Sequence, residues 1–378
     1  MASNPQQSSL PHTRYDELDG LRALSIAGVI IFHHIPVTGF WFSVNLFFVL
    51  SGFFITRNLQ ATREAPLGSY LSSFYVKRIA RICPLYFLYL SGLALSYFAF
   101  GHPTLLGRYL SSLSTFTFNL TRPSFDWQFS EYFSHFWSLS VEMQFYMLWP
   151  WVLLLCPKRL LPSLLGVILI ASPVYRYVWS EQLLSAGQPL NQIGDCLYWS
   201  TICHLDAFAA GALAAIFERT PTTLRRWWQR FGFGALILVG AANIIYLGLK
   251  WGVDGPLLAS LGYPIHNPQA LQHVWAGSVI TLCWGTLVWR LLAPGEQNWW
   301  VSRILRLPLV ADSGRVSYGM YVWHWLVIVL LNTAIDWPSG GLGLALRIVS
   351  CWIVVYGMAK LSYKWFEAPI LARYARGR

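Results

Sequence analysis

The sequence predicts an all-α, polytopic integral membrane protein with about ten transmembrane helices and both termini in the cytoplasm. Three observations carry this reading. The composition is apolar and poor in charge, apolar runs recur along the chain at membrane-crossing length, and lysine and arginine between those runs fall mostly on one side.

Of 378 residues, 55% are hydrophobic and only 11% are charged, where a soluble domain carries about 25% charged residues. A single core for a chain of this length would leave much of that apolar surface in water. About 20 residues in a helix cross the hydrocarbon layer. Runs of this kind are read at 20–38, 43–60, 74–100, 137–155, 162–178, 199–217, 231–249, 273–292, 316–335 and 342–363. The first contains Arg22, His33 and His34, and the sixth contains His204 and Asp206; both count as spans because apolar flanks continue on either side.

The expected organisation is a polar tail over 1–17, one membrane domain over 18–369 and a basic tail over 370–378. The first 14 residues are polar, so no cleavable signal peptide is expected and the first span should be an uncleaved anchor. No internal repeat is visible, and the longest stretch between spans is Gly101–Phe136. The six cysteines lie mostly in or beside apolar segments, with no CxxC pair, which reads as buried small side chains and not as a disulfide framework.

The net charge of +11 is distributed between apolar segments and not gathered in a patch, so no nucleic-acid partner is expected. When the loops are assigned alternately to the two sides, 22 of the 27 Lys and Arg residues fall on the side of the amino terminus. Positive charge collects in cytoplasmic loops, and removing any one span would scramble the division.

Ionisable residues within spans are costly and mark candidate sites. Arg22 and His33 are eleven helical steps apart, about 16 Å and three turns, on one face of the first span. Arg78 and Arg81, beside Lys77, open the third span on a shared face and could grip an anion. Glu142 and His33 each lie about five residues below the outer surface on separate spans, so a carboxylate–imidazole pair is expected at one depth. For His204, Asp206 and His324, hydrogen bonding between helices is as good an account as chemistry. No zinc-protease, G-x-S-x-G or P-loop pattern occurs, and no metal is expected.

Six stretches then take on a collective meaning. They are Leu18-Asp-Gly-Leu-Arg-Ala-Leu-Ser-Ile running on to Phe32-His33, Val44-Asn-Leu-Phe-Phe-Val-Leu-Ser-Gly-Phe-Phe-Ile-Thr, and Phe74-Tyr-Val-Lys-Arg-Ile-Ala-Arg-Ile-Cys-Pro-Leu-Tyr. With them go Trp137-Ser-Leu-Ser-Val-Glu-Met-Gln-Phe-Tyr, Ser317-Tyr-Gly-Met-Tyr-Val-Trp-His and Trp365-Phe-Glu-Ala-Pro. In this order they resemble the acyltransferase-3 family of membrane O-acyltransferases across nearly the whole chain. The family's Arg-x10-His motif falls on Arg22 and His33, its Arg-x-x-Arg motif on Arg78 and Arg81, and its glutamate on Glu142. Members usually carry a second glutamate where this chain has Met143.

The resemblance implies transfer of an acyl group, acetyl above all, from cytoplasmic acyl-CoA to a hydroxyl of a carbohydrate or glycosylated acceptor. In that reading Arg22, Arg78 and Arg81 hold the donor's phosphates, and His33 is general base or transient acyl carrier, oriented by Glu142. His324, Trp137 and Asn45 are the expected substrate-binding residues. Phe116, Phe118, Trp127, Phe129, Tyr132 and Phe133 of the long outer loop are further candidates for an acceptor site. The expected partners are the lipid bilayer, acyl-CoA and the acceptor, in a bacterial-type inner (cytoplasmic) membrane. Some relatives carry an extracytoplasmic esterase-like domain, and none is expected here. A macrolide-type acceptor is the alternative within the class. A transporter or flippase is the rival from another class, disfavoured because no inverted repeat is visible.

Overall fold

The computed structural model describes residues 15–35, 38–218, 221–251, 263 and 271–375. Every regular element among them is helical. In chain order these are α1 (Asp16–His34), α2 (Phe42–Ala61), α3 (Leu67–Phe100), α4 (Leu106–Ser114) and α5 (Trp137–Leu155). They continue with α6 (Leu161–Ser185), α7 (Leu190–Trp199), α8 (Leu205–Ile216), α9 (Thr222–Trp251) and α10 (Gln272–Leu291). The last five are α11 (Trp300–Leu305), α12 (Pro308–Arg315), α13 (Ser317–Ala334), α14 (Gly340–Ser362) and α15 (Ala368–Ala375). Arg14, Arg219, His266, Arg376 and Arg378 lie outside the described residues.

Each of the ten expected segments falls on a helix, but by length and apolarity six helices are able to cross a membrane, or eight if each of two bent pairs is one crossing. The six are α2, α3, α6, the Thr223–Tyr246 part of α9, α10, and the run Gly340–Tyr374, in which α14 and α15 join through a π-helical turn at Tyr363–Glu367. The bent pairs are α7 with α8, turning through 78°, and α12 with α13, turning through 79°. Helices α1 and α5 have 19 residues each, long enough at about 28 Å, but are too polar to qualify. The first carries Asp16, Glu17, Asp19 and Arg22, and the second carries Glu142 and Gln144 among tryptophans and tyrosines.

Boundaries differ from expectation where polar residues join a helix or leave it. Helix α3 starts at Leu67 and α9 at Thr222, each with a polar lead-in before its apolar run. The sixth expected span is broken: α7 ends at Trp199 and α8 begins only at Leu205. The first ends at His34, so His33 sits at a helix terminus and not within a continuing span.

Small residues set the closest crossings. A Cβ on Gly52 of α2 would lie 2.1 Å from the carbonyl oxygen of Phe208, and one on Gly211 of α8 would lie 1.9 Å from that of Val49. Two backbones thus meet with no side chain between them, the arrangement by which membrane helices gain packing without hydrophobic drive. Phe145 of α5 stacks on Phe208 of α8 at 3.9 Å between centroids, which brings α5 onto the same pair.

The broken α7–α8 segment is held by a buried ion pair. Arg176 falls near the end of the expected span 162–178, yet α6 runs on to Ser185 and buries it. Its guanidinium donates to Asp206 at 2.8 Å, to the Val274 carbonyl at 2.7 Å, to Ser278 at 2.5 Å and to the Cys203 carbonyl. Asp206 also accepts from Ser278 at 2.8 Å and from the Ala207 amide at 2.9 Å. The neighbouring His204 donates from Nε2 to the Tyr198 carbonyl at 2.5 Å. These bonds tie α6, α8 and α10 together around the bend, so interhelical hydrogen bonding accounts for His204 and Asp206.

Candidate active site: two cavities with a common wall

The first cavity, of about 90 Å³, lies among α1, α2, α3, α5 and α13. Arg22, Arg78 and Arg81 line it together with Ser51, Glu142 and Tyr146. One helical turn separates Arg78 from Arg81, which puts both on the lining face of α3. Arg22 is braced by Asp19 one turn earlier, at 2.8 Å, and its guanidinium lies 4.3 Å from the centre of the Phe54 ring. Glu142 accepts hydrogen bonds from Ser51 and from Tyr146, the latter one turn further along α5. Arg78 Nε is buried without a protein partner. Three guanidinium groups therefore face one carboxylate, and the surplus positive charge suits an anionic ligand.

The second cavity, of about 340 Å³, opens where α1 ends. Its walls are aromatic: Trp127 and Phe129 from the long loop, Trp137 at the start of α5, Tyr198 and Trp199 from α7, and Trp325 from α13. Trp137 and Trp199 stack at 5.7 Å and 14°. Arg122 and Asp195, paired at 2.8 Å, add a polar edge, with Arg122 over Trp127 at 4.5 Å.

Imidazoles gather at this cavity. His33 lies 4.4 Å from Trp325 and 5.3 Å from His324, nearly parallel to the latter at 23°. His324 in turn meets His135 edge-on at 4.9 Å. Carbonyl oxygens can only accept, so two of the tautomers follow from geometry. His324 donates from Nδ1 to the Tyr321 carbonyl at 2.6 Å, and His135 donates from Nε2 to the Val322 carbonyl at 3.3 Å.

Val44 and Tyr321 line both cavities. The Tyr321 hydroxyl donates to the His135 carbonyl at 2.7 Å and stands 2.6 Å from the Ser138 hydroxyl. Tyr321 and Val44 thus form the wall common to the arginine-lined space and the imidazole-lined one.

Several expected placements change. Glu142 does not meet His33: the carboxylate faces the first cavity and the imidazole the second. Equal depth along two spans says nothing about the direction each side chain takes around its helix. Asn45 lines neither large cavity. It is buried one residue, or about 100°, around α2 from Val44, and faces a pocket of about 30 Å³ with Arg176, His204 and His273. Of the six loop aromatics, Trp127 and Phe129 reach the second cavity. Phe116 instead stacks on Tyr86 at 4.6 Å, Phe118 and Phe133 pack on each other at 5.7 Å, and Tyr132 packs against the core. Conversely, His135, Ser51, Tyr321 and the Arg122–Asp195 pair belong to the two cavities and carried no expected role. His135 stands two residues before Trp137, immediately ahead of the motif that carries Glu142, and that adjacency was the available signal. Among the described residues, no group of three or more His, Cys, Asp or Glu side chains is placed to hold a metal ion.

Apolar helices around a cationic cavity and an imidazole-lined aromatic one define a helical membrane protein with two adjoining polar cavities. A family model described as "Acyltransferase domain" matches residues 15–359, and the chain belongs to that family, acyltransferase-3. Among curated proteins it is similar to the peptidoglycan O-acetyltransferase OatA of Listeria monocytogenes, 25% identical over 377 residues, covering 95% of this chain and 57% of the relative. It is also similar to the O-acetyltransferase OatA of Staphylococcus aureus, 24% identical over 364 residues, covering 93% and 56%. The chain thus spans somewhat more than half the length of these relatives. No solved structure matches it.

Proposed function

We propose that the protein is a membrane O-acetyltransferase that moves an acetyl group from acetyl-CoA, bound from the cytoplasm, to a hydroxyl of a carbohydrate acceptor of the peptidoglycan type. The observation that carries this reading is the common wall: a cavity lined by Arg22, Arg78 and Arg81 abuts, at Val44 and Tyr321, a cavity lined by His33 and aromatic rings. Arginines suit the donor's phosphates because guanidinium N–H groups match phosphate oxygens and are less strongly hydrated than ammonium. Tryptophan faces suit a sugar ring. The names of the two relatives support O-acetylation, and one of them supports the acceptor class.

In this scheme the acceptor oxygen bonds to the thioester carbonyl carbon, the carbon–sulfur bond breaks, and the hydroxyl proton ends on the CoA thiolate. His33, partly open to the second cavity, acts as general base or carries the acetyl group transiently. Glu142 belongs to the donor side, where with Ser51 and Tyr146 it offsets the arginines' charge. His324 and Trp137 support the acceptor side. The orientation follows the charge count, with ten crossings, both ends cytoplasmic and the membrane being the bacterial inner one. A reporter fused after Arg378 is then read from the cytoplasm.

The test is purified protein with acetyl-CoA and a panel of peptidoglycan fragments and other glycans, following thiol release and the mass of the products. Acetyl esters on a glycan, lost in His33→Ala and Arg78→Ala at normal protein yield, are the expected result. Wild-type turnover by His33→Ala would overturn the role of His33, and thiol release indifferent to every glycan would overturn the acceptor class.

A further inference from the structure

His135 is almost wholly buried, 4% exposed, yet it lines the second cavity. Its Nε2–H is committed to the Val322 carbonyl, so Nδ1 carries a lone pair, and that nitrogen has no partner in the protein. Its neighbour His324 repeats the pattern. Nδ1–H is committed to the Tyr321 carbonyl, and the bare Nε2 is buried and unpartnered. A buried acceptor left unpaired is costly, and here two occur on touching rings, 4.9 Å apart and near-perpendicular. Both are acceptors, so neither can satisfy the other. What satisfies an imidazole lone pair at a cavity wall is a proton donor brought in from the cavity, and the donor the proposed reaction supplies there is the acceptor hydroxyl.

We propose that His135 is a catalytic residue whose Nδ1 takes the proton of the acceptor hydroxyl, with His324 as the positioning residue behind it. This rests on the acetyltransferase reading and deepens it, because His33 need not serve as both base and acyl carrier. In the step, the acceptor oxygen forms a bond to the acetyl carbonyl carbon while its O–H bond breaks, the proton passing to His135 Nδ1. The bond from that carbon to the leaving atom, CoA sulfur or a His33 nitrogen, then breaks with its electron pair staying on the leaving atom. The imidazolium returns its proton to the departing group. The Nε2–H stays on the Val322 carbonyl meanwhile. Around His135 stand His33 from α1, Tyr89 from α3, and Tyr321 and His324 from α13. None of these is a carboxylate or a permanent cation, so the ring meets no fixed charge from them.

Two variants test this. In His135→Gln the amide N–H can keep the bond to the Val322 carbonyl while the basic nitrogen is gone. The expected result is normal yield and unchanged acetyl-CoA binding, a glycan KM within about threefold, and kcat for glycan acetylation down about 100-fold or more. In His135→Ala, added imidazole should restore turnover saturably, and across substituted imidazoles the rescued rate should rise with their basicity, a readout that a merely structural histidine would not give. The rescue also decides the matter if the glutamine variant does not fold. A His135→Gln enzyme retaining more than about a tenth of wild-type kcat, or an alanine variant indifferent to imidazole, would overturn the proposal while leaving the acetyltransferase reading in place. A wild-type protein that acetylates no glycan would remove that reading, and this inference with it.

Discussion

The hydroxyls of Tyr321 and Ser138 lie 2.6 Å apart, and they meet where the arginine-lined and the imidazole-lined cavities adjoin. Tyr321 donates to the His135 carbonyl at 2.7 Å, so it accepts from Ser138. The partition is therefore locked from α13 onto the first turn of α5, and the same bond fixes the backbone that carries His135. In the proposed function the two cavities hold donor and acceptor, and their separation matters because water in contact with a thioester competes with the intended hydroxyl.

Tyr321→Phe removes both bonds without changing the ring. The folded protein should lose only about 1–3 kcal/mol, the range for leaving buried partners unpaired. The functional consequence should be larger: acetyl-CoA hydrolysis without glycan rises, and the fraction of thiol release coupled to glycan acetylation falls. Thiol release measured with and without acceptor checks this. Unchanged coupling would mean that Tyr321 is packing and not a partition.

Glu142 offers a contrast between two placements. A glutamate that oriented His33 would, when changed to glutamine, lower kcat and leave donor affinity alone. The observed placement, accepting from Ser51 and Tyr146 among Arg22, Arg78 and Arg81, predicts the reverse emphasis. Glu142→Gln should shift the acetyl-CoA KM by about threefold or more and leave the glycan KM unchanged, since hydrogen bonds to charged groups contribute about 1.5–3 kcal/mol. Arg78→Ala should raise the acetyl-CoA KM by about tenfold or more, because a charge-assisted contact to phosphate is lost. Steady-state kinetics varying each substrate in turn distinguishes the two placements.

These contrasts mark what could be read from the chain alone. The helices were legible because apolar runs of bilayer length have few alternatives. The spacing of Arg78 and Arg81 places two side chains on one face of one helix, and they do line one cavity. Contacts between helices were not legible, because they depend on the rotation of each helix about its axis. That is why Glu142 and His33 share an expected depth yet face different cavities, and why Asn45 turns away from both. Arg176 was misplaced for a related reason: an apolar run gave out near it, as at a span end, whereas the helix continues and its partner Asp206 comes from another segment. The break between Trp199 and Leu205 carries no proline or glycine to announce it. It is fixed by tertiary bonds from Arg176 to the Cys203 carbonyl and to Asp206.

The crossing of α2 and α8 predicts a sharp steric test. With Cβ contacts of 2.1 Å at Gly52 and 1.9 Å at Gly211, both against backbone carbonyls, neither site can take a methyl group unless the helices separate. Gly52→Ala and Gly211→Ala should each sharply lower the yield of folded protein, and the double variant should not be worse by the sum, since one separation relieves both clashes. Gly166 and Gly234, which have open space around the Cβ position, are the controls, and alanine there should be tolerated. Fluorescence-detected size exclusion of tagged variants gives the comparison. Normal yield of Gly211→Ala would contradict the close approach.

The ion pair between Arg176 and Asp206 connects stability to the wall of the second cavity. Both side chains are at most 5% exposed and 2.8 Å apart, and the segment they anchor carries Tyr198 and Trp199 into the wall of the second cavity. Removing one partner of a buried pair costs about 3–5 kcal/mol because a desolvated charge is left alone, whereas replacing both with apolar groups is often near neutral. Arg176→Met should therefore be strongly destabilised, Asp206→Leu likewise, and the Arg176→Met/Asp206→Leu protein should recover most of the loss. Recovery should not extend fully to function. Arg176 also donates to the carbonyls of Val274 and Cys203, and without those bonds the bend at Ser200–His204 is less firmly set. The double variant should thus show near-normal thermal stability and acetyl-CoA KM but a raised glycan KM, as Tyr198 and Trp199 lose their fixed orientation. Equal glycan KM in the double variant and the wild type would show that the bend holds without the pair.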